Sequence, residues 1–274
     1  MDRMGVSRQV ISPFIDLTAY ELGDSAGMRY ARLVNELMAA TVDETAGRLL
    51  ALGTVPLPSG KLAATELQYA VEQLGMVGVE IGTHVHRTQL DDPALDPFWA
   101  AAEALACVVL VHPLSGASMD EPYFLGNVIG NPAATTMAVA RLMFGGVIER
   151  FPSVRLCLAH GGGFLPYQAG RLERAFHAIG RSRGARLTRS PMEILGQLYY
   201  DTVLHSPAMI RSLIDLVGAD HVMLGSDYPF DMGDPDPIGT LAQVPGLEAT
   251  QYDSVCSGNL ERLLAGIPTP RTSS

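Results

Sequence analysis

Cysteine is scarce in this 274-residue chain: only Cys107, Cys157 and Cys256 occur, and no CxxC pair is present. That argues against a disulfide framework and fits a reducing cytoplasm. Cys107 and Cys157 lie inside apolar runs, where a free thiol behaves as a small hydrophobe. Basic residues are outnumbered, 19 Lys and Arg against 29 Asp and Glu, for a formal net charge of −10. Nucleic acid needs clustered Lys and Arg, so it is disfavoured as a partner. A small anionic substrate remains compatible, since it needs only one or two local arginines. No apolar stretch approaches the length of a membrane span. The opening MDRMGVSRQV carries no apolar core of the kind a secretory leader needs. There is no GxSxG nucleophile elbow. Gly60-Lys61 is followed by Leu62 rather than Ser or Thr, which rules out a phosphate-binding P-loop.

What the chain does have is apolar residues, 47% of the total, in short runs. Strand-like runs fall at residues 9–15, 49–55, 77–83, 107–111, 155–159, 198–203 and 221–226. Helical patterns lie between them, at residues 28–48, 60–74, 96–106, 135–151, 167–179, 207–217 and 248–264. Alternating βα units of this length predict a parallel sheet with short connections. No linker or composition break divides the chain, so residues 1–274 read as one domain. Seven strands are one short of an α/β barrel. A doubly wound open sheet would tolerate seven.

Three of the runs end on a polar residue able to do chemistry. CVVLV ends on His112, RLCLA on His160 followed by three glycines, and VMLGS on Asp227. Strand tips of this kind are where α/β barrels place catalytic groups. Imidazole is the commonest protein metal ligand. A strand-tip Asp can hold a metal and accept a proton from water. Each has a plainer reading too: a core histidine bonded to backbone, a βα turn with a spectator histidine, a capping aspartate. His84 and His86 form an HxH that would suit a metal pair but equally lines a loop. Arg181, Arg183, Arg186 and Arg189 read as a solvated loop, and Trp99 as core. His177 and His221 have no arguable partner, and His205 follows a strand and so has a place at a site rim.

In order along the chain stand GTHV, LVHP, PAATT, GGVIERFP, AHGGGFLPYQAGR and LGSDYPF. Together they resemble the decarboxylating branch of the amidohydrolase superfamily (amidohydrolase-related family 2), and the likeness runs from Met1 almost to the end. The resemblance implies a distorted (β/α)8 barrel, a TIM-barrel of the metal-dependent hydrolase type, assembled as a homodimer around one divalent metal, most often zinc. It implies metal ligation by His112 and Asp227 and acid/base catalysis by His160. It implies that Arg171 meets a substrate carboxylate across the dimer interface and that Phe124 lines the pocket. His84 matches a family histidine that accompanies a separate His-x-His, so GTHVH is not that motif displaced.

The family pattern opens with a strand carrying His-x-His, which supplies two further ligands. MDRMGV resembles a segment near the end of the family's first helix. The expectation is a barrel lacking its first βα unit, through a miscalled start or a cut gene. Otherwise the short form binds metal weakly or recruits His84 or His86. The expected activity is that of a carboxy-lyase: non-oxidative decarboxylation of a small unsaturated or aromatic carboxylic acid. Hydrolysis of an amide or lactone, and an inactive ligand-binding barrel, are the alternatives.

Overall fold

The computed structural model describes residues 1–85, 88–114, 121–178 and 180–267. Seven parallel strands form one sheet in strictly sequential order: β1 (Gln9–Ile11), β2 (Leu49–Gly53), β3 (Gly78–Gly82), β4 (Val108–His112), β5 (Arg155–Leu158), β6 (Tyr199–Asp201) and β7 (Val222–Met223). The helices are α1 (Asp24–Asp43), α2 (Gly60–Glu72), α3 (Asp96–Leu105), α4 (Asn131–Phe144), α5 (Val147–Arg150), α6 (Ala169–Ala178), α7 (Pro191–Leu195), α8 (Pro207–Val217), α9 (Pro237–Ala242), α10 (Ala249–Asp253) and α11 (Asn259–Leu264). A doubly wound sheet reverses its strand order at a switch point. This one never does, which leaves the barrel architecture. When every right-handed crossover steps to the next strand in the same direction, all helices fall on one face and the sheet curls around the other. Among the described residues β1 and β7 do not pair with each other.

The curl shows in how the apolar side chains divide. On β4, Val109 and Val111 are fully buried against the helices, in one large core with Val79, Ile81, Leu156, Leu158, Trp99 and Phe98. Their alternates face inward. Val108, Leu52, Cys157 and Met223 pack together inside the sheet, joined by Val10 of β1 and by Leu260, Leu263 and Leu264 of α11. Residues of the first and last strands thus share one interior. The Arg155 guanidinium donates to the Leu263 carbonyl, and Asn259 donates to the Ala219 and Val222 carbonyls. These bonds hold α11 beneath the N-terminal ends of the strands. The closed floor leaves the C-terminal ends as the open mouth.

The 28–48 pattern becomes a helix that starts earlier and stops at Asp43, because Ala46 and Gly47 adopt positive φ. Residues 135–151 form two helices rather than one, since Gly146 (φ 72°) interrupts them. β7 is shorter than its apolar run: the Leu224 amide leaves the sheet to bond the Val255 carbonyl. No helix of the described residues is long and apolar enough to cross a membrane.

Candidate active site at the strand tips

His112 is the last residue of β4, His160 follows β5 after Ala159, and Asp227 follows β7 in a tight loop. The three converge. His160 Nε2 stands 3.6 Å from one Asp227 oxygen, and His112 Nε2 stands 3.8 Å from the other. The two imidazoles meet edge to face at 5.0 Å. All three side chains are mostly buried, 15–17% exposed. Two of them rest on unusual backbone. His160 (φ 56°) and Asp227 (φ 53°) both adopt left-handed conformations, which cost a non-glycine residue about 1–3 kcal/mol and concentrate at functional sites. Glycines make the turn after His160 possible. At Gly163 (φ 65°) a Cβ would lie 2.2 Å from the Pro132 carbonyl oxygen, so only glycine fits.

The hydrogen bonding of His112 decides what belongs between these groups. Its Nδ1 lies 2.9 Å from the Pro113 carbonyl oxygen. A carbonyl can only accept, so Nδ1 carries the hydrogen. In the neutral ring, Nε2 then turns a lone pair toward the Asp227 carboxylate. Two acceptors face each other at a distance too long for a direct hydrogen bond. A positive charge between them resolves the conflict, either a proton on Nε2 or a divalent cation. The ligand atoms of His112, His160 and Asp227 all lie within 4.8 Å of one another. Two ligands of a tetrahedral ion stand about 3.4 Å apart, close to the observed separations. The donor set, imidazole nitrogens with one carboxylate, suits zinc, manganese or a similar ion.

The electrostatics follow from the same contacts. Burial alone would raise the Asp227 carboxyl, but the His112 and His160 imidazoles facing it hold it well below the usual carboxylate range. Burial disfavours the charged form of His112. The Asp227 and Glu80 carboxylates and the Pro113 carbonyl outweigh it, so the group rests above the ordinary histidine value. Glu80 has no counterpart in the sequence reading. It sits on β3 two residues before Gly82, which pairs with His112, so it faces the same side of the sheet. Burial pushes its carboxyl up to about 7; His112 and a Ser12 hydrogen bond oppose the shift, while Asp227 and Asp16 add to it. A second buried acid therefore lies beneath the three site residues. A glutamate inside an apolar strand is the signal that could have flagged it.

The other expected residues are not drawn into this cluster. Arg171, third residue of α6, is exposed. Phe124 ends a short 3-10 turn, half exposed, with φ 62°. His84 is half-buried and outside the cluster, and His86 lies outside the described residues. His205 is exposed at positive φ. His221 Nδ1 lies 3.1 Å from the Leu198 carbonyl oxygen. His177 pairs with Glu173 on the surface of α6. Trp99 is core, its Nε1 donating to the Leu90 carbonyl. Arg183 and Arg186 are exposed, and Arg189 pairs with Glu193.

Residues 23–265 match the amidohydrolase family model Amidohydro_2. The chain is 31% identical to 2-amino-3-carboxymuconate-6-semialdehyde decarboxylase of Dictyostelium discoideum, over 94% of this chain and 73% of that protein. Its fold is similar to the crystal structure of 5-carboxyvanillate decarboxylase from Sphingomonas paucimobilis. There the TM-score is 0.89 at 27% identity, covering 97% of this chain and 81% of that one. A dihydroxybenzoic acid decarboxylase from Polaromonas sp. JS666, solved with bound manganese and 2-nitroresorcinol, shares the fold. Its TM-score is 0.87 at 21% identity, over 97% of this chain and 83% of that one.

Proposed function

We propose, from the premise that this chain belongs to the amidohydrolase family, that it is a metal-dependent non-oxidative decarboxylase of a small unsaturated or aromatic carboxylic acid. The observation that carries this is the convergence of His112, His160 and Asp227 at the strand tips, in a chain similar to two proteins named as decarboxylases. His112 and Asp227 would hold a divalent ion, zinc in our reading, though the Polaromonas protein was solved with manganese. When bound, such an ion supplies Lewis-acid chemistry at an oxygen. His160 is the acid/base: the carbon–carbon bond to the carboxylate breaks, carbon dioxide leaves, and a proton passes to the carbon left behind. Arg171 would pair a substrate carboxylate through its guanidinium fork, and Phe124 would line the pocket.

Two surface features support a homodimer. Tyr123, Phe124, Leu125, Val128, Ile129, Met137, Phe164 and Tyr167 are all exposed. They sit on elements that touch one another, as when the Phe164 amide bonds the Thr136 hydroxyl. An apolar surface of this kind marks an interaction site. Arg171 lies four residues beyond Tyr167 and is exposed; in this reading it would reach a second copy's site. In this reading an eighth strand carrying the family's His-x-His would pair between β7 and β1 and complete a ligand set of at least three. The three cysteines form no disulfide with one another, which in this reading suits the cytoplasm.

The test is carbon dioxide release by zinc- or manganese-loaded protein from 2-amino-3-carboxymuconate-6-semialdehyde and 5-carboxyvanillate, beside hydrolysis of a lactone. His160→Ala should lose turnover and keep its metal. Full activity in that variant would falsify the assignment. Lactone turnover without carbon dioxide would make the chain a hydrolase instead.

A further inference from the structure

β6 contributes nothing to the cluster, yet it lies between the strands that carry His160 and Asp227. It pairs with β5 through Tyr199 and Tyr200 and with β7 through Tyr200 and Asp201. Its last residue, Asp201, turns its carboxylate onto the His160 turn. One oxygen accepts from the His160 amide at 3.0 Å. The other accepts from the Gly161 amide at 2.8 Å and the Val203 amide at 3.0 Å. His160 and Gly161 both adopt left-handed backbone, φ 56° and 60°, which takes their amides out of any strand ladder. Asp201 satisfies donors that would otherwise be stranded, with charge-assisted bonds.

The next residue grips the other arm. The Thr202 hydroxyl accepts from the Gly225 amide at 3.1 Å and donates to the Gly225 carbonyl at 3.4 Å. Gly225 lies two residues before Asp227, itself left-handed. A Cβ at Gly225 would stand 2.9 Å from the Asp201 Cβ, so the two arms meet across this residue pair. His160 Nδ1 is buried and has no hydrogen-bond partner among the described residues. No bond at Nδ1 orients the ring, so its aim toward Asp227 depends on its backbone, which Asp201 holds.

We propose that Asp201, assisted by Thr202, is the positioning residue that sets the reach of His160 Nε2 to Asp227. The inference rests on His160 acting as the acid/base. Asp201 is not itself a ligand or proton donor, because its oxygens are committed to three backbone amides and it lies outside the cluster. Sequence reading passed over it, although YYDT ends on polar residues as the other three runs do.

The test compares Asp201→Asn, Asp201→Ala and Thr202→Val with the parent, each loaded with zinc. In Asp201→Asn one amide N–H2 faces a backbone N–H, so the chain folds but the turn loosens. A misplacement of about 1 Å costs on the order of 100-fold in rate. The expected result is a kcat lowered on that order, KM and zinc content unchanged, and a crystal structure with the His160 ring displaced from Asp227. A ring that superposes on the parent's overturns the proposal, as does loss of zinc in step with activity. Should Asp201→Ala fail to fold, Asp201→Asn decides. Should the parent release no carbon dioxide, the decarboxylase reading fails, while the crystal structures still judge Asp201.

Discussion

Replacing Asn35 with alanine should cost this protein about 4 kcal/mol. Asn35 lies on α1 and is fully buried. Its amide donates to the Thr54 carbonyl and to a Glu66 oxygen, each at 2.9 Å, and its oxygen accepts from the Thr54 amide at 2.8 Å. Glu66 is itself fully buried on α2 and held by the Arg32 guanidinium, 2.8 Å away. One side chain therefore serves both backbone groups of Thr54 just past the tip of β2 and completes the environment of a buried carboxylate. Each bond contributes about 1 kcal/mol net, and stranding buried partners adds about 1–3 kcal/mol more. Unfolding entropy near 60 °C is about 2.1 cal/mol/K per residue, so for a chain of this length 4 kcal/mol lowers Tm by about 7 °C. The assay is calorimetry on metal-free protein, which removes stabilisation by a bound ion. Thr41→Ala is the control, on the same helix but with its hydroxyl bonded at an exposed site; it should change Tm by less than about 1 °C. An Asn35→Ala protein melting within about 2 °C of the parent, or as far below it as the control, would refute the reasoning.

Two further outcomes follow from the site. Asp227 is depressed below its ordinary 3.8, so its contribution to stability is present above that pH and is lost as pH falls through the lower folded value. His112 is raised above its ordinary 6.5, so its contribution is full below that pH and is lost as pH rises through the higher folded value. Denaturant titration of metal-free protein should therefore weaken at both ends, and Asp227→Asn should flatten both limbs; unchanged limbs would mean the pair is not coupled. Zinc at about 100 times its Kd should add about 2.7 kcal/mol of stability to the parent. His112→Ala, read by calorimetry and by metal content, should abolish that gain, and an equal gain in the variant would remove His112 from the ligand set.

Much of the architecture is legible without coordinates. Six of the seven strands lie inside the apolar runs, and β4 overruns its run by His112 alone, because a strand covered on both faces is mostly apolar. MDRMGV forms a short 3-10 turn, Asp2–Met4, closed by Gly5 in left-handed conformation. What escapes is local competition. Residues 9–15 hold only three residues of strand, since Pro13 has no amide to pair. The helix at residues 248–264 contains a wider turn, Ser254–Gly258, whose Val255 carbonyl takes the Leu224 amide away from β7.

Residue chemistry at the ends of apolar runs marked His112, His160 and Asp227 as candidates, although each also had a plainer structural reading at a strand tip. Only tertiary structure decided that the ligand atoms of the three meet within 4.8 Å of one another and that Glu80 lies near them. It also decided that Asp201 and Thr202 brace them from a strand bearing none of the three. Apolar periodicity records which face a residue turns to the core. Which tips become neighbours depends on strand order and on how the sheet curls, and those emerge only when all seven strands pair.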